Sequence, residues 1–167
     1  ILAAPPCTKA GVRDRTILVL LYDTAVRISE LLGIRLCDIA LDNPYPSIFI
    51  TGKGNKERTI QLSEKPFSHL QEYIRVFHRT SEKDAYLFFT TIKGVTGKMS
   101  PGNVQRLIKK YAAQTRNLGF DVPKSVHPHM FRRTRATNLY QEGIAIELVS
   151  TVLGHARTDT TRNYYAR

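Results

Sequence analysis

Residues 47–62 read Ser47-Ile48-Phe49-Ile50-Thr51-Gly52-Lys53-Gly54-Asn55-Lys56-Glu57-Arg58-Thr59-Ile60-Gln61-Leu62. Residues 47–51 and 58–62 have the β-branched and aromatic character of strands, and the connection between them carries Gly52 and Gly54. The stretch reads as an antiparallel hairpin. Pro44 and Pro46 separate it from what precedes. It decides the class of fold because nearly everything around it reads as helix.

Outward from the hairpin, residues 14–22 have buried-helix character through Ile17, Leu18, Leu20 and Leu21. A second helix opens near Ile28, with Ser29 and Glu30 suited to a first turn and Leu31 and Leu32 supplying its apolar side. Helices are expected over 64–79, 100–115, 128–141 and 146–153, the last closed by Gly154. A short strand is expected over 86–90, with Gly94 and Gly97 marking a loop. Residues 159–165 are polar and helix-compatible. The chain shows no internal repeat and no low-complexity tract. The expected fold is mainly α (α+β), helical with a small antiparallel sheet.

A chain of 167 residues is long enough for one domain with a proper core and too short for two. With 42% hydrophobic and 23% charged residues it has an ordinary globular composition. The longest apolar run, residues 17–22, falls far short of the roughly 20 residues of a membrane span. The N-terminus lacks signal-peptide character, and Cys7 and Cys37 show neither metal-ligand spacing nor a disulfide framework. A reducing cytoplasm fits best. The charge is less ordinary: 25 Lys+Arg against 14 Asp+Glu leave a formal net charge of +11. That field attracts polyanions, chiefly nucleic acid or an anionic membrane. The basic residues are dispersed, which favours a folded basic face over a disordered arm; a solvated surface without a partner is the plain alternative.

Four groups of residues have the types that phosphate chemistry needs, and each has a bland reading beside it. Arg27, at a helix start among apolar neighbours, can aim its guanidinium at an anion together with backbone N–H groups; it can equally pair with Glu30 on a surface helix. Lys53 sits between glycines at a loop tip, where the backbone can approach a ligand closely; it can also be a solvated turn lysine. His129 and Arg132, three apart on a helix, share a face, while Phe131 and Leu139 hold the opposite one in the core. Arg133 and Arg135 add positive charge nearby. Arginines disfavour a charged histidine beside them unless an anion is present, and a phosphate is such an anion. His155 follows Leu153-Gly154, with Tyr164 and Tyr165 shortly after; a tyrosine hydroxyl holds its proton to about pH 10 and needs an electropositive pocket to attack, whereas a terminal tyrosine pair commonly only packs.

Taken together and in this order, four segments resemble the tyrosine recombinases, also called the phage-integrase family. They are residues 24–33, residues 52–58, residues 129–133, and Leu153-Gly154-His155 with Thr160, Thr161 and Tyr164. The likeness covers nearly the whole chain. It implies that the chain is the catalytic domain, 1–167, of a longer protein, lacking an N-terminal core-binding domain and a C-terminal tail.

The resemblance implies catalytic roles for Arg27, Lys53, His129, Arg132, His155 and Tyr164. Arg27 and Arg132 would grip the non-bridging oxygens of a scissile phosphate, and Lys53 would protonate the departing 5′ oxygen. His129 and His155 would assist proton transfer and orient the phosphate or nucleophile. Tyr164 would form a 3′-phosphotyrosine, with Glu30 supporting the site from behind. Neither metal nor cofactor is implied. The implied partner is double-stranded DNA, bound by a monomer in isolation and by a tetramer on synapsed sites in the full-length protein. The implied setting is a bacterial cytoplasm, at the nucleoid. Arg133 stands where many relatives have histidine, a departure that leaves the main constellation intact. A type IB topoisomerase-like enzyme and a non-catalytic DNA-binding regulator on the same fold are the alternatives; plasmid relaxation and the reactivity of Tyr164 separate them.

Overall fold

A buried threonine-capped helix organises the computed structural model, which describes residues 1–52 and 54–153, with only the backbone of Val152. Helix α1 (Lys9–Asp23) opens at Thr8, whose Oγ1 accepts a hydrogen bond from the Gly11 N–H at 3.1 Å. Gly11 is required there, because a Cβ would lie 1.9 Å from the Pro6 carbonyl oxygen. Residues Ile17 to Leu21 are buried all round, so α1 is a central helix with no solvent face over that stretch.

The expected elements follow with small shifts. Helix α2 (Ile28–Gly33) is followed by a 3₁₀ turn at Leu36–Asp38 and a two-residue strand β1 (Ile39–Ala40), neither of which was expected. Strands β2 (Ser47–Thr51) and β3 (Glu57–Gln61) form the hairpin, one residue earlier in β3 than the sequence suggested. The Leu62 N–H still bonds the carbonyl of Pro46 opposite it at 2.7 Å, but proline has no N–H to return, and the strand assignment stops there. The sheet order is β1-β2-β3, antiparallel, with Ile48 opposite Ile60 and Thr51 opposite Glu57. Ile48 and Ile50 point into the core while Phe49 faces outward.

Helix α3 (Glu64–Phe77) packs on α1. The expected strand over 86–90 and loop around Gly94 and Gly97 are corrected: β4 (Phe89–Ile92) and β5 (Val95–Lys98) form a second hairpin. Its connection is Lys93-Gly94, at φ 50° and 80°, the left-handed pair that a tight primed turn demands. Gly97 is therefore a strand residue, opposite Thr90. Phe88 still accepts from the Met99 N–H at 3.0 Å, in register with that hairpin, but Tyr86 and Leu87 are committed elsewhere, Tyr86 bridging to Arg35. The Leu87 N–H bonds the Ile34 carbonyl at 2.8 Å, and the Leu87 carbonyl accepts from Tyr73 Oη and His78 Nε2, each at 2.8 Å.

Helix α4 (Pro101–Asn117) is capped by Ser100 and carries Tyr111, whose hydroxyl donates to the buried Asp14 carboxylate at 2.8 Å. Burial and the nearby Asp14 carboxylate push the Tyr111 hydroxyl up to about 12. Helices α5 (Pro128–Gln141) and α6 (Ile146–Leu153) occupy the expected residues. The main core joins α1 to α4 and the sheet, and a smaller cluster of Ala25, Ala136, Val149 and Leu153 sits where α5 and α6 meet the turn after α1. No helix among the described residues is long and apolar enough to cross a membrane.

Candidate phosphate-binding cleft

The site begins with a backbone reversal. Helix α1 ends at Thr24, whose N–H still bonds the Leu20 carbonyl, and Ala25 then takes φ 50°. A left-handed alanine costs about 1–2 kcal/mol and persists only where its surroundings enforce it. Here they do: Ala25 is fully buried against Ala136, Val149 and Leu153. The reversal lets Val26 and Arg27 run extended into α2, with Arg27 as the N-cap at φ −71°, ψ 150°.

Arg132 approaches from α5. It is 4% exposed, and its Nη1 donates to the Ala25 carbonyl at 2.6 Å, while Nη2 donates to the Leu153 carbonyl. One guanidinium thus ties α5 to the strained turn and to the end of α6. His129 lies one turn earlier and is exposed. Arg27, Ser29, Pro128, His129 and Arg132 line a single cleft of about 120 Å³ with Val26 and Ile28. The bland and functional readings of Arg27 turn out to be compatible. Arg27 does pair with Glu30, at 2.8 Å, but its side chain remains 33% exposed at the cleft.

Glu30 is not the surface partner that a helix pair suggests. Its side chain is 3% exposed, and Arg58 Nη2 bonds its Oε2 at 2.9 Å. The Arg27 N–H bonds the same oxygen at 2.9 Å. Burial pushes the Glu30 carboxyl up, but the hydrogen bonds from Arg58 and Arg27 outweigh it and hold the group below its ordinary value. Gly52, where β2 passes into the hairpin turn, packs on this carboxylate: a Cβ there would lie 2.9 Å from Oε1.

Of the seven positions singled out by sequence, Arg27, His129 and Arg132 come together at the cleft and Glu30 lies behind it. Lys53, His155 and Tyr164 lie outside the described residues, as do Thr160, Thr161 and Tyr165. Arg133 and Arg135 do not line the cleft; Arg133 is exposed, and the Arg135 guanidinium lies 5.8 Å from the Tyr22 ring centroid. Sequence reasoning placed Ala25, Gly52 and Arg58 within the segments that carry the resemblance but did not find what they do in the site, because the partners that define those roles are distant in the chain.

A helical domain with two small antiparallel ladders and a two-arginine, one-histidine cleft defines a class, and comparison with known proteins agrees with it. The phage integrase family profile matches residues 1–167, and the chain belongs to that family. It is 34% identical over 156 residues to tyrosine recombinase XerA of Pyrococcus furiosus, covering 93% of this chain and 51% of that protein. The chain spans about half the length of the curated relatives it matches. Among solved structures it resembles XerA recombinase, with a TM-score of 0.77 and 27% identity over 95% of this chain and 54% of that one. It also resembles the XerH site-specific recombinase bound to a palindromic difH substrate in a post-cleavage complex. There the TM-score is 0.75 and the identity 27%, over 95% of this chain and 43% of that one.

Proposed function

We propose that the chain is the catalytic domain of a tyrosine-type site-specific recombinase, cutting and rejoining double-stranded DNA through a covalent protein–DNA intermediate. The observation that carries this reading is the convergence of Arg27, His129 and Arg132, from opposite ends of the sequence, on one cleft. Two guanidiniums and an imidazole on a basic protein suit a phosphate. As the phosphorus becomes pentacovalent its equatorial oxygens gain charge, and positioned donors stabilise that state more than the ground state.

Roles for the remaining residues come from the family resemblance. The Tyr164 hydroxyl attacks the scissile phosphorus and forms a 3′-phosphotyrosine, while the 5′ oxygen leaves with a proton from Lys53. His129 and His155 assist proton transfer and hold the phosphate. A second 5′ hydroxyl then attacks the phosphotyrosine and expels the tyrosine, so the bond energy is conserved and no ATP is needed. The XerH structure is described as bound to its difH substrate after cleavage, which supports duplex DNA as the partner. We extend the reading to a monomer in isolation, a tetramer on paired sites in the full-length protein, and a cytoplasmic, nucleoid-associated setting.

Covalent capture tests the proposal. The protein is incubated with duplexes from the flanks of its own gene, carrying bridging phosphorothiolates that trap the intermediate, and resolved on a denaturing gel. The expected result is a retarded protein–DNA band that Tyr164→Phe abolishes and Tyr165→Phe leaves intact. Loss in Tyr165→Phe instead moves the nucleophile by one residue. No band with the full-length protein on its authentic site would leave a DNA-binding regulator as the function.

A further inference from the structure

Arg27 reaches the cleft with its Nη1 on the Glu30 carboxylate at 2.8 Å. That contact creates an electrostatic problem. A carboxylate bonded to a guanidinium cancels much of its field, so a phosphate in the cleft would meet a pair with no net charge. Burial does not solve it by neutralising Glu30. Desolvation works against the charge, yet the hydrogen bonds from Arg58 and Arg27 hold the carboxyl below its ordinary value, and the group is ionised near neutral pH.

Arg58 supplies the missing charge. It belongs to β3, opposite Ile50 of β2, and its side chain is 17% exposed. Its Nη1 reaches Oε1 of Glu30 at 3.4 Å and its Nη2 reaches Oε2 at 2.9 Å. With the Arg27 N–H also on Oε2 at 2.9 Å, the roughly four lone-pair sites of the carboxylate are taken. Arg58 Nε has no hydrogen-bond partner among the described residues, so Glu30 is what places this guanidinium. Arg58 does not itself line the cleft. A buried arginine–glutamate–arginine group is a weak source of stability, since desolvation of its charges offsets their attraction. Its two cations and one anion do leave a net positive charge behind the cleft.

We propose that Arg58 is a positioning residue that acts on the phosphate through Glu30. By sharing the carboxylate it leaves Arg27 free to present a net positive charge to the cleft. The inference rests on the proposed function, in which Arg27 holds the scissile phosphate. A direct grip of Arg58 on DNA and a purely structural role are different roles, and removing both partners at once separates them.

The test compares rates of covalent attachment on duplexes with an ordinary phosphate or a neutral methylphosphonate at the scissile position. Arg58→Gln is expected to slow attachment to the phosphate roughly 10- to 100-fold, the effect of one charge lost nearby at intermediate dielectric, and to cost about threefold or less on the methylphosphonate. Adding Glu30→Gln removes the carboxylate that Arg58 balanced, so the double variant is expected to return to within about fivefold of the wild type on the phosphate. Arg58→Lys keeps the charge and is expected to stay within about threefold. A double variant as slow as Arg58→Gln, equal losses on the two substrates, or no loss in folded Arg58→Gln would overturn the inference and leave the proposed function standing. If Arg27→Ala itself loses equally on both substrates, the hold of Arg27 on the phosphate falls, and the inference with it. Circular dichroism checks folding. Should Arg58→Gln fail to fold, the double variant and Arg58→Lys decide, and a loss in either as large as that of Arg27→Ala overturns the inference.

Discussion

Glu30 is the residue on which the cleft depends most. Removing one member of a buried charge group leaves its partners uncompensated, at a cost of about 3–5 kcal/mol. Glu30→Ala is therefore expected to be that much less stable in chemical denaturation, well beyond an exposed substitution such as Glu82→Ala. The sign of the pH dependence follows from the direction of the shift. The folded group titrates below the ordinary 4.5, so its stabilisation is complete above that pH and is lost as the pH falls through the lower, folded value. The stability gap between the wild type and Glu30→Gln is expected to be flat above about pH 5 and to narrow below 4.5; a gap that widens on acidification would contradict the assignment. At this scale Arg27, His129 and Arg132 were weak signals one by one and became candidates only through the four segments taken together. Arg58 lies in one of those segments but received no role, because its value lies in a partner in another element.

Among the elements, the unit that matters is the junction of α5, α6 and the turn at Ala25. Arg132 holds it with hydrogen bonds to two carbonyls, each charge-assisted bond contributing about 1.5–3 kcal/mol. Arg132→Lys keeps the charge and loses the fork. Amide exchange in α6 is expected to accelerate roughly 10- to 100-fold, while α1 and α3 keep their protection; uniform acceleration would mean that Arg132 supports the whole fold. The same scale shows what sequence reading captures. The helices α5 and α6 and the strand β2 fall where hydrophobic pattern and propensity place them. The β4–β5 hairpin was displaced because Tyr86 to Phe88 look like strand residues, yet their backbone and side chains serve Ile34, Tyr73, His78 and the core. The two-residue β1 exists only as a partner for β2. Ala25 carries no sequence mark of its left-handed backbone, which packing imposes.

For the molecule as a whole, the excess of 25 basic over 14 acidic residues has a direct thermodynamic consequence if the partner is DNA. Each phosphate neutralised contributes about 0.9 to the slope of log K against log salt, so binding through the basic face is expected to show a slope steeper than about −3. A flat dependence would argue that the charge is only solvated surface. The class of fold, helical with a small antiparallel sheet, was legible at this scale, while the chemistry proposed for the cleft rests on the family resemblance. The layout of the junction that joins them was not.

The role of the cleft is tested most directly by removing the negative charge it is proposed to hold. Rates of covalent attachment are compared for the wild type and Arg27→Ala, on duplexes with either an ordinary or a neutral methylphosphonate group at the scissile position. With the phosphate, losing one guanidinium is expected to cost roughly 10²–10³ in rate. With the methylphosphonate one negative oxygen is gone, and the same substitution is expected to cost little. An equally large loss on both substrates would show that Arg27 does not act on the charge of the phosphate.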